Sequence, residues 1–142
     1  MEVDRNGLEV LDRAECLRLL ALTSLGRIGF TSGALPTVLP VNFHLDRERI
    51  LVGTGRGSKL DAALRNAVVA FEVDDFDQIG HSGWSVSVTG VATALSGPDE
   101  LDAADHAPIA GWSNAGDEAV LAISTELVSG RRTTAGSRPI RR

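Results

Sequence analysis

The chain has 142 residues, enough for one compact domain and too few for two ordinary ones. Hydrophobic residues make up 43% and charged residues 23%, with a mean hydropathy of +0.04, which is globular composition and excludes a disordered or low-complexity chain. The sequence has no run near the roughly 18 apolar residues a membrane helix needs, and its acidic start, Met1–Leu11, lacks a signal-peptide core. A cytoplasmic, membrane-free, single-domain protein is therefore expected.

Charge is placed unevenly. Residues 131–142 carry five arginines and no acid, so the other 130 residues hold nine cations against 19 acids, a net charge of −10. Such an acidic body argues against a nucleic-acid-binding domain, whose footprint is a basic face. Cys16 is the only cysteine, which excludes an internal disulfide, and its leucine neighbours indicate a buried helical thiol.

In chain order, Asp12-Arg-Ala-Glu15 forms a capping box ahead of Leu17, Leu20, Ala21 and Leu25, which predicts a helix over about 13–24. Ile28 and Phe30 alternate with small residues, Ser32-Gly33 turns, and 35–45 is β-rich, which together read as a hairpin. A third strand is expected over 50–54, followed by a glycine-rich break at Gly55-Arg-Gly57. Ser58 and Asp61 then form a second capping box for a short helix ending near Asn66.

Residues 68–73 read as a fourth strand, 74–83 as an acidic polar loop, and 84–95 as a long strand in which Gly90 predicts a bulge or bend. A helix is expected over about 97–107 and a last strand over 119–128. Five to seven strands with antiparallel patterning and only short helices indicate a mainly β, closed or nearly closed barrel.

The stretch Gly53-Thr-Gly-Arg-Gly-Ser-Lys-Leu60 is the strongest candidate for chemistry. A strand runs into a glycine-rich turn whose N–H groups can cradle an anion, with hydroxyls from Thr54 and Ser58 and charge from Arg56 and Lys59. Lys59 is the only lysine in the chain, against 13 arginines. The spacing departs from a Walker A loop and from G-x-G-x-x-G, so neither a nucleotide-triphosphate nor a Rossmann site is indicated. The competing reading is a capped surface helix with solvated charges.

Asn42 in Pro40-Val41-Asn42-Phe43 is unusual on an apolar strand and can hydrogen-bond a flat heterocycle; an edge-strand asparagine meeting water is the alternative. Trp84, followed by Ser85, starts a strand as a core residue or a ligand platform. His44, His81 and His106 are too dispersed for a metal site, and no serine sits in a G-x-S-x-G elbow. The run Glu72, Asp74, Asp75, Asp77 reads as a solvated strand end and loop.

Taken in order, Gly26-Arg-Ile-Gly29, Leu39-Pro-Val-Asn42, Thr54 with Gly57-Ser-Lys-Leu60, Ala70-Phe-Glu-Val-Asp74, Gly83-Trp-Ser-Val86 and Gly130-Arg-Arg132 resemble the pyridoxamine 5′-phosphate oxidase-like, FMN-binding split-barrel family, near its nitroimidazole-resistance-type branch. The resemblance covers about 8–132, with the Arg-rich segment 133–142 as a flexible tail. It implies a split β-barrel with short peripheral helices, a homodimer, and a flavin at the dimer interface.

Carried over by position, Thr54, Gly57, Ser58 and Lys59 hold the FMN phosphate, with Arg56 standing in for a cation that relatives often carry at the Gly53 position. Pro40, Val41, Asn42 and Phe43 line the isoalloxazine through backbone groups and the Asn42 side chain. Trp84 and Ser85 lie near the cofactor, in one reading from the partner chain, and Arg131 or Arg132 completes the anion site. The implied activity is hydride or electron transfer to an unidentified small molecule, using FMN or the deazaflavin coenzyme F-420. The rival from another class is a non-catalytic flavin- or haem-binding module. No residue stands out as acid or base, which leaves proton delivery to solvent, substrate or His44.

Overall fold

Eight strands and two helices follow one another through residues 1–96 and 118–134, the part of the chain described by the computed structural model. They are β1 (Glu9–Leu11), α1 (Arg13–Ala21), β2 (Leu25–Ser32), β3 (Leu35–Asp46), β4 (Arg49–Gly55), α2 (Lys59–Leu64), β5 (Val68–Asp77), β6 (Ser82–Ala94), β7 (Glu118–Ser124) and β8 (Leu127–Arg132). The helix expected over about 97–107 and most of the Arg-rich tail lie outside the described residues.

All strand pairs are antiparallel. The sheet runs β1-β8-β6-β5-β2-β3-β4-β7, and a further β6–β7 pairing closes β2 to β7 into a six-stranded barrel, with β8 and β1 attached outside the ring. The predicted barrel class is thus the observed one. Closure depends on β6, which pairs with β8 from Trp84 to Thr89 and with β7 from Ala92 to Ala94. The change of partner falls at Gly90, where a Cβ would stand 1.8 Å from the Ser124 carbonyl oxygen, so only glycine allows the approach. Val91 N–H turns aside to donate to Ser124 Oγ at 2.9 Å. The bend expected at Gly90 is this exchange.

Alternation fills the barrel. Ile28, Phe71 and Val88 are cross-strand neighbours on one layer, all buried, and Phe43 meets Phe71 edge to face with centroids 4.9 Å apart. Helix α1 covers one end, placing Cys16, Leu19 and Leu20 in the core. The Cys16 thiol is buried as expected, and burial first, then the Asp12 and Glu15 carboxylates, push its pKa up. A Cβ on Gly130 would come within 2.6 Å of Cys16 Sγ, so glycine there lets α1 approach β8.

Three boundaries differ from the sequence reading. Helix α1 ends at Ala21 because Leu22 N–H and the Thr23 hydroxyl turn back onto the Leu19 and Leu20 carbonyls, satisfying the end of the helix early. The acidic stretch 74–83 is mostly strand: β5 continues to Asp77 and β6 starts at Ser82. The single strand expected over 119–128 is two, parted at Thr125. Its hydroxyl donates to the Glu48 carbonyl and accepts from Arg13 Nη2, while Arg13 Nη1 holds its carbonyl at 2.6 Å. Among the described residues no helix is long and apolar enough to cross a membrane.

Candidate functional site

Strands β3 and β4 pair only from Phe43–Val52 to Asp46–Arg49, whereas β3 pairs with β2 over Leu35–Asn42 and β4 continues against β7 through Gly55. The two strands therefore part beyond Phe43 and Val52. Among the described residues one edge of 35–41 pairs with no strand, and β4 runs on past the split into the turn Gly55–Ser58. This brings Pro40, Val41 and Asn42 into one region with Thr54, Arg56, Gly57, Ser58 and Lys59. The Val41 and Phe43 side chains point into the core, so only their backbone can face a ligand.

The turn is built around Asp61. This carboxylate, 3% exposed, accepts from Thr54 Oγ1 at 3.1 Å, Gly57 N–H at 3.0 Å and Arg65 Nε at 3.1 Å. Burial works against its charge, but the Gly57 N–H, Arg65 and Thr54 hold its pKa below the ordinary carboxylate value. Gly57, at φ +72°, supplies the left-handed residue the turn requires.

Two of the expected phosphate ligands have a partner within the turn: the Thr54 hydroxyl and the Gly57 N–H both donate to Asp61. Ser58 N–H is also spent, on the Gly55 carbonyl, and Ser58 Oγ caps α2 by accepting from Asp61 N–H. For an external anion the turn retains Arg56 and Lys59, both exposed and without an ion-pair partner among the described residues, together with the Ser58 hydroxyl proton. Two cations and one hydroxyl on a braced turn fit a phosphate group beside the cleft between β3 and β4.

Trp84 and Ser85 lie elsewhere. In the sheet, β2 and β5 stand between β3 and β6. Trp84 is half-buried, packs against the core and, with Ser85, lines an open cavity of about 770 Å³. The N-terminal segment 5–8 walls this cavity. Asp4 shapes that segment by accepting from the Asn6 and Leu8 N–H groups and from Arg131 Nε at 3.1 Å. Those backbone bonds, the Leu8 N–H foremost, and the Arg131 guanidinium keep the Asp4 pKa below its usual value against the effect of burial.

Within one chain Arg131 and Arg132 therefore line this cavity. Arg132 is bound by Glu9 and Glu15. Arg18 first, and then Arg132, draw the Glu15 carboxyl down to about 2, against desolvation.

The sequence reading missed one arrangement. Because β5 stays extended, Glu72 and Asp74 share its outer face, and both line the cavity. Arg27 Nη1, across the ladder on β2, reaches Glu72 Oε1 at 3.1 Å and Asp74 Oδ2 at 2.9 Å. One guanidinium thus serves two carboxylates. Burial and the neighbouring Asp74 push Glu72 up to about 7, with Arg27 pulling the other way. The only signal in the sequence was Glu72-Val-Asp74 in strand alternation. His44 lies on β3, paired with Leu51, away from this cavity. Among the described residues no group of three His, Cys, Asp or Glu stands where it could hold a metal ion.

Comparison with known proteins gives a consistent family. The sequence profile of the pyridoxamine 5′-phosphate oxidase family matches residues 12–132. The chain is 41% identical over 133 residues to the uncharacterized protein Rv0080 of Mycobacterium tuberculosis, covering 90% of this chain and 87% of that one. Its fold is similar to that of the FAD binding protein from Mycobacterium smegmatis, at a TM-score of 0.78 and 32% identity, over 89% of this chain and all of the other. An FAD-binding protein from Mesorhizobium loti shares the fold at a TM-score of 0.75 and 23% identity, over 89% of this chain and 98% of the other.

Proposed function

Because the chain belongs to the pyridoxamine 5′-phosphate oxidase family, we propose that it is a homodimeric flavin-dependent oxidoreductase acting on a small molecule. The carrying observation is the parting of β3 and β4, beside which a turn already folded around Asp61 holds two cations with no ion-pair partner among the described residues. In this reading Arg56, Lys59 and the Ser58 hydroxyl take the flavin phosphate. The strand-free edge of 35–41 faces the ring. When bound, the flavin supplies the hydride or electron transfer.

FMN is the simplest occupant. The named ligand of the Mycobacterium smegmatis relative makes FAD the second reading, since both carry a phosphate on the ribityl chain. The homodimer is supported by exposed apolar groups beside the cleft. Val38 on β3 and Val68 on β5, each 68% exposed, stand on the outer face of the sheet on either side of β2. A partner covering that face would offer its own Trp84 and Ser85, which the strand order keeps apart from Arg56 and Lys59 within one chain.

The test is titration of the purified protein with FMN, FAD and the deazaflavin coenzyme F-420, followed by absorption and flavin fluorescence, alongside its mass in solution. Saturable binding of FMN or FAD by a dimer supports the proposal. Binding of F-420 alone moves the chemistry to hydride transfer by the deazaflavin. Binding of none by a monomer overturns it. A protein that binds flavin but passes no electrons to any acceptor is the non-catalytic module.

A further inference from the structure

A cofactor that moves hydride leaves a proton to be supplied, and the chain has no tyrosine and no histidine at the cleft turn. The cavity on the outer face of β5, β6 and β8 carries the group for it. Glu72 and Asp74 stand two residues apart on one strand, facing one side, and draw on the same Arg27 nitrogen. Arg27 comes from β2, Ser87 and Ser85 stand opposite on β6, and Arg131 on β8 pairs with Ser85 while its Nε is committed to Asp4. Arg5, His81 and Arg132 stand at the cavity wall with Asn6 and Thr133, and Arg132 is held by Glu9 and Glu15. The pair thus has two carboxylates against one guanidinium of its own, and Arg131 and Arg132 are bound to other carboxylates.

We propose that Glu72 is the proton donor of this cavity, passing the proton on its carboxyl to a substrate atom that becomes basic as the substrate is reduced. The inference rests on the flavin reading above, in which the dimer sets this cavity, with its Trp84 and Ser85, against the partner subunit's cleft and so against the flavin held there. The transfer breaks the Glu72 O–H bond and forms a bond from that proton to an oxygen or nitrogen of the substrate, which takes its two electrons as hydride from the reduced cofactor. The carboxylate left behind is held by Arg27, and solvent returns the proton through the open cavity. Arg27 and Asp74 are positioning residues: burial, and then Asp74, favour the protonated Glu72, and Arg27 limits how tightly the proton is kept. The upward shift of Glu72 to about 7 agrees with this placement and matches the pH at which a general acid works best.

Two measurements test it. The first needs no cofactor: a 13C NMR titration of glutamate-labelled protein. A carboxyl titrating near neutrality, lost in Glu72→Gln and moved down by a unit or more in Asp74→Asn, supports the proposal; no glutamate titrating above the ordinary range overturns it. The second uses FMN-loaded protein, reduced with dithionite and mixed anaerobically with menadione, a quinone that needs one hydride equivalent and one proton to become its hydroquinone. Reoxidation in the wild type should fall as pH rises through about 7, and Glu72→Gln should be at least about tenfold slower at pH 6 with that dependence gone. Identical profiles for wild type and Glu72→Gln overturn the donor role and leave the flavin reading intact. No reoxidation in either protein overturns both.

Discussion

The turn around Asp61 and the cavity around Glu72 are both built on carboxylates, and they differ in how completely those are satisfied. Asp61 is buried and has three donors of its own, so it is a fixed charge that shapes a loop. Glu72 shares one guanidinium with Asp74 and stands in an open cavity, so its charge state responds to pH. An acid with three donors of its own is architecture. An acid competing for a partner is chemistry.

The largest way to break the contrast is Asp61→Ala, which strands the Thr54 hydroxyl, the Gly57 N–H and Arg65. It should cost about 2–3 kcal/mol in urea unfolding, because buried donors lose their acceptor. A loss under about 0.5 kcal/mol would show that the turn holds its shape by other means. Lys59→Ala should act oppositely, leaving stability within about 0.5 kcal/mol of wild type and weakening flavin binding roughly tenfold through loss of a charge-assisted contact. Equal affinity in wild type and variant would remove the cleft turn from the site.

The smallest effect sharpens the comparison through pH. The Glu72 pKa is raised to about 7 in the folded chain from an ordinary 4.5, so the folded state favours the protonated form. Its stabilising contribution is complete below about pH 4.5 and is lost as pH rises toward 7. Glu15 has the reverse sign: drawn down to about 2, it stabilises above about pH 4.5, and that contribution disappears as pH falls toward 2. Melting temperature against pH should therefore have a weak neutral slope that Glu72→Gln abolishes. Because the group is partly exposed, that slope is worth below about 1 kcal/mol. A slope unchanged in the variant would place the titrating group elsewhere.

Much of this fold is legible in the sequence because local and tertiary preferences agree. Asp12 and Ser58 cap helices where their capping boxes put them, and the β2–β3 hairpin follows its alternation and its Ser32-Gly33 turn. Two features escape local reading. The acidic run 74–77 reads as loop because aspartate is disfavoured in strands; pairing with Ser85, Trp84, Gly83 and Ser82 outweighs that preference. The break at Thr125 depends on Arg13 and Glu48, far away in sequence.

The site was half legible for the same reason. A glycine-rich turn with hydroxyls and cations announces an anion, yet the sequence does not say that Asp61, four residues past Gly57, is that anion. Cations without acids nearby in sequence, such as Arg131 and Arg132, read as free; folding returns Asp4, Glu9 and Glu15 to them.

The exchange of partners at Gly90 has a mechanical consequence. Strand β6 is held by β5 from Ser82 to Val91 and by β8 and then β7 on its other edge, so its middle, Trp84–Thr89, cannot leave the sheet without breaking two ladders at once. Its middle amides should be among the slowest in the molecule to exchange with deuterium, opening only with global unfolding. Strand β6 is then the rigid spar of the domain: the cavity hangs from one half of it and the barrel closes on the other.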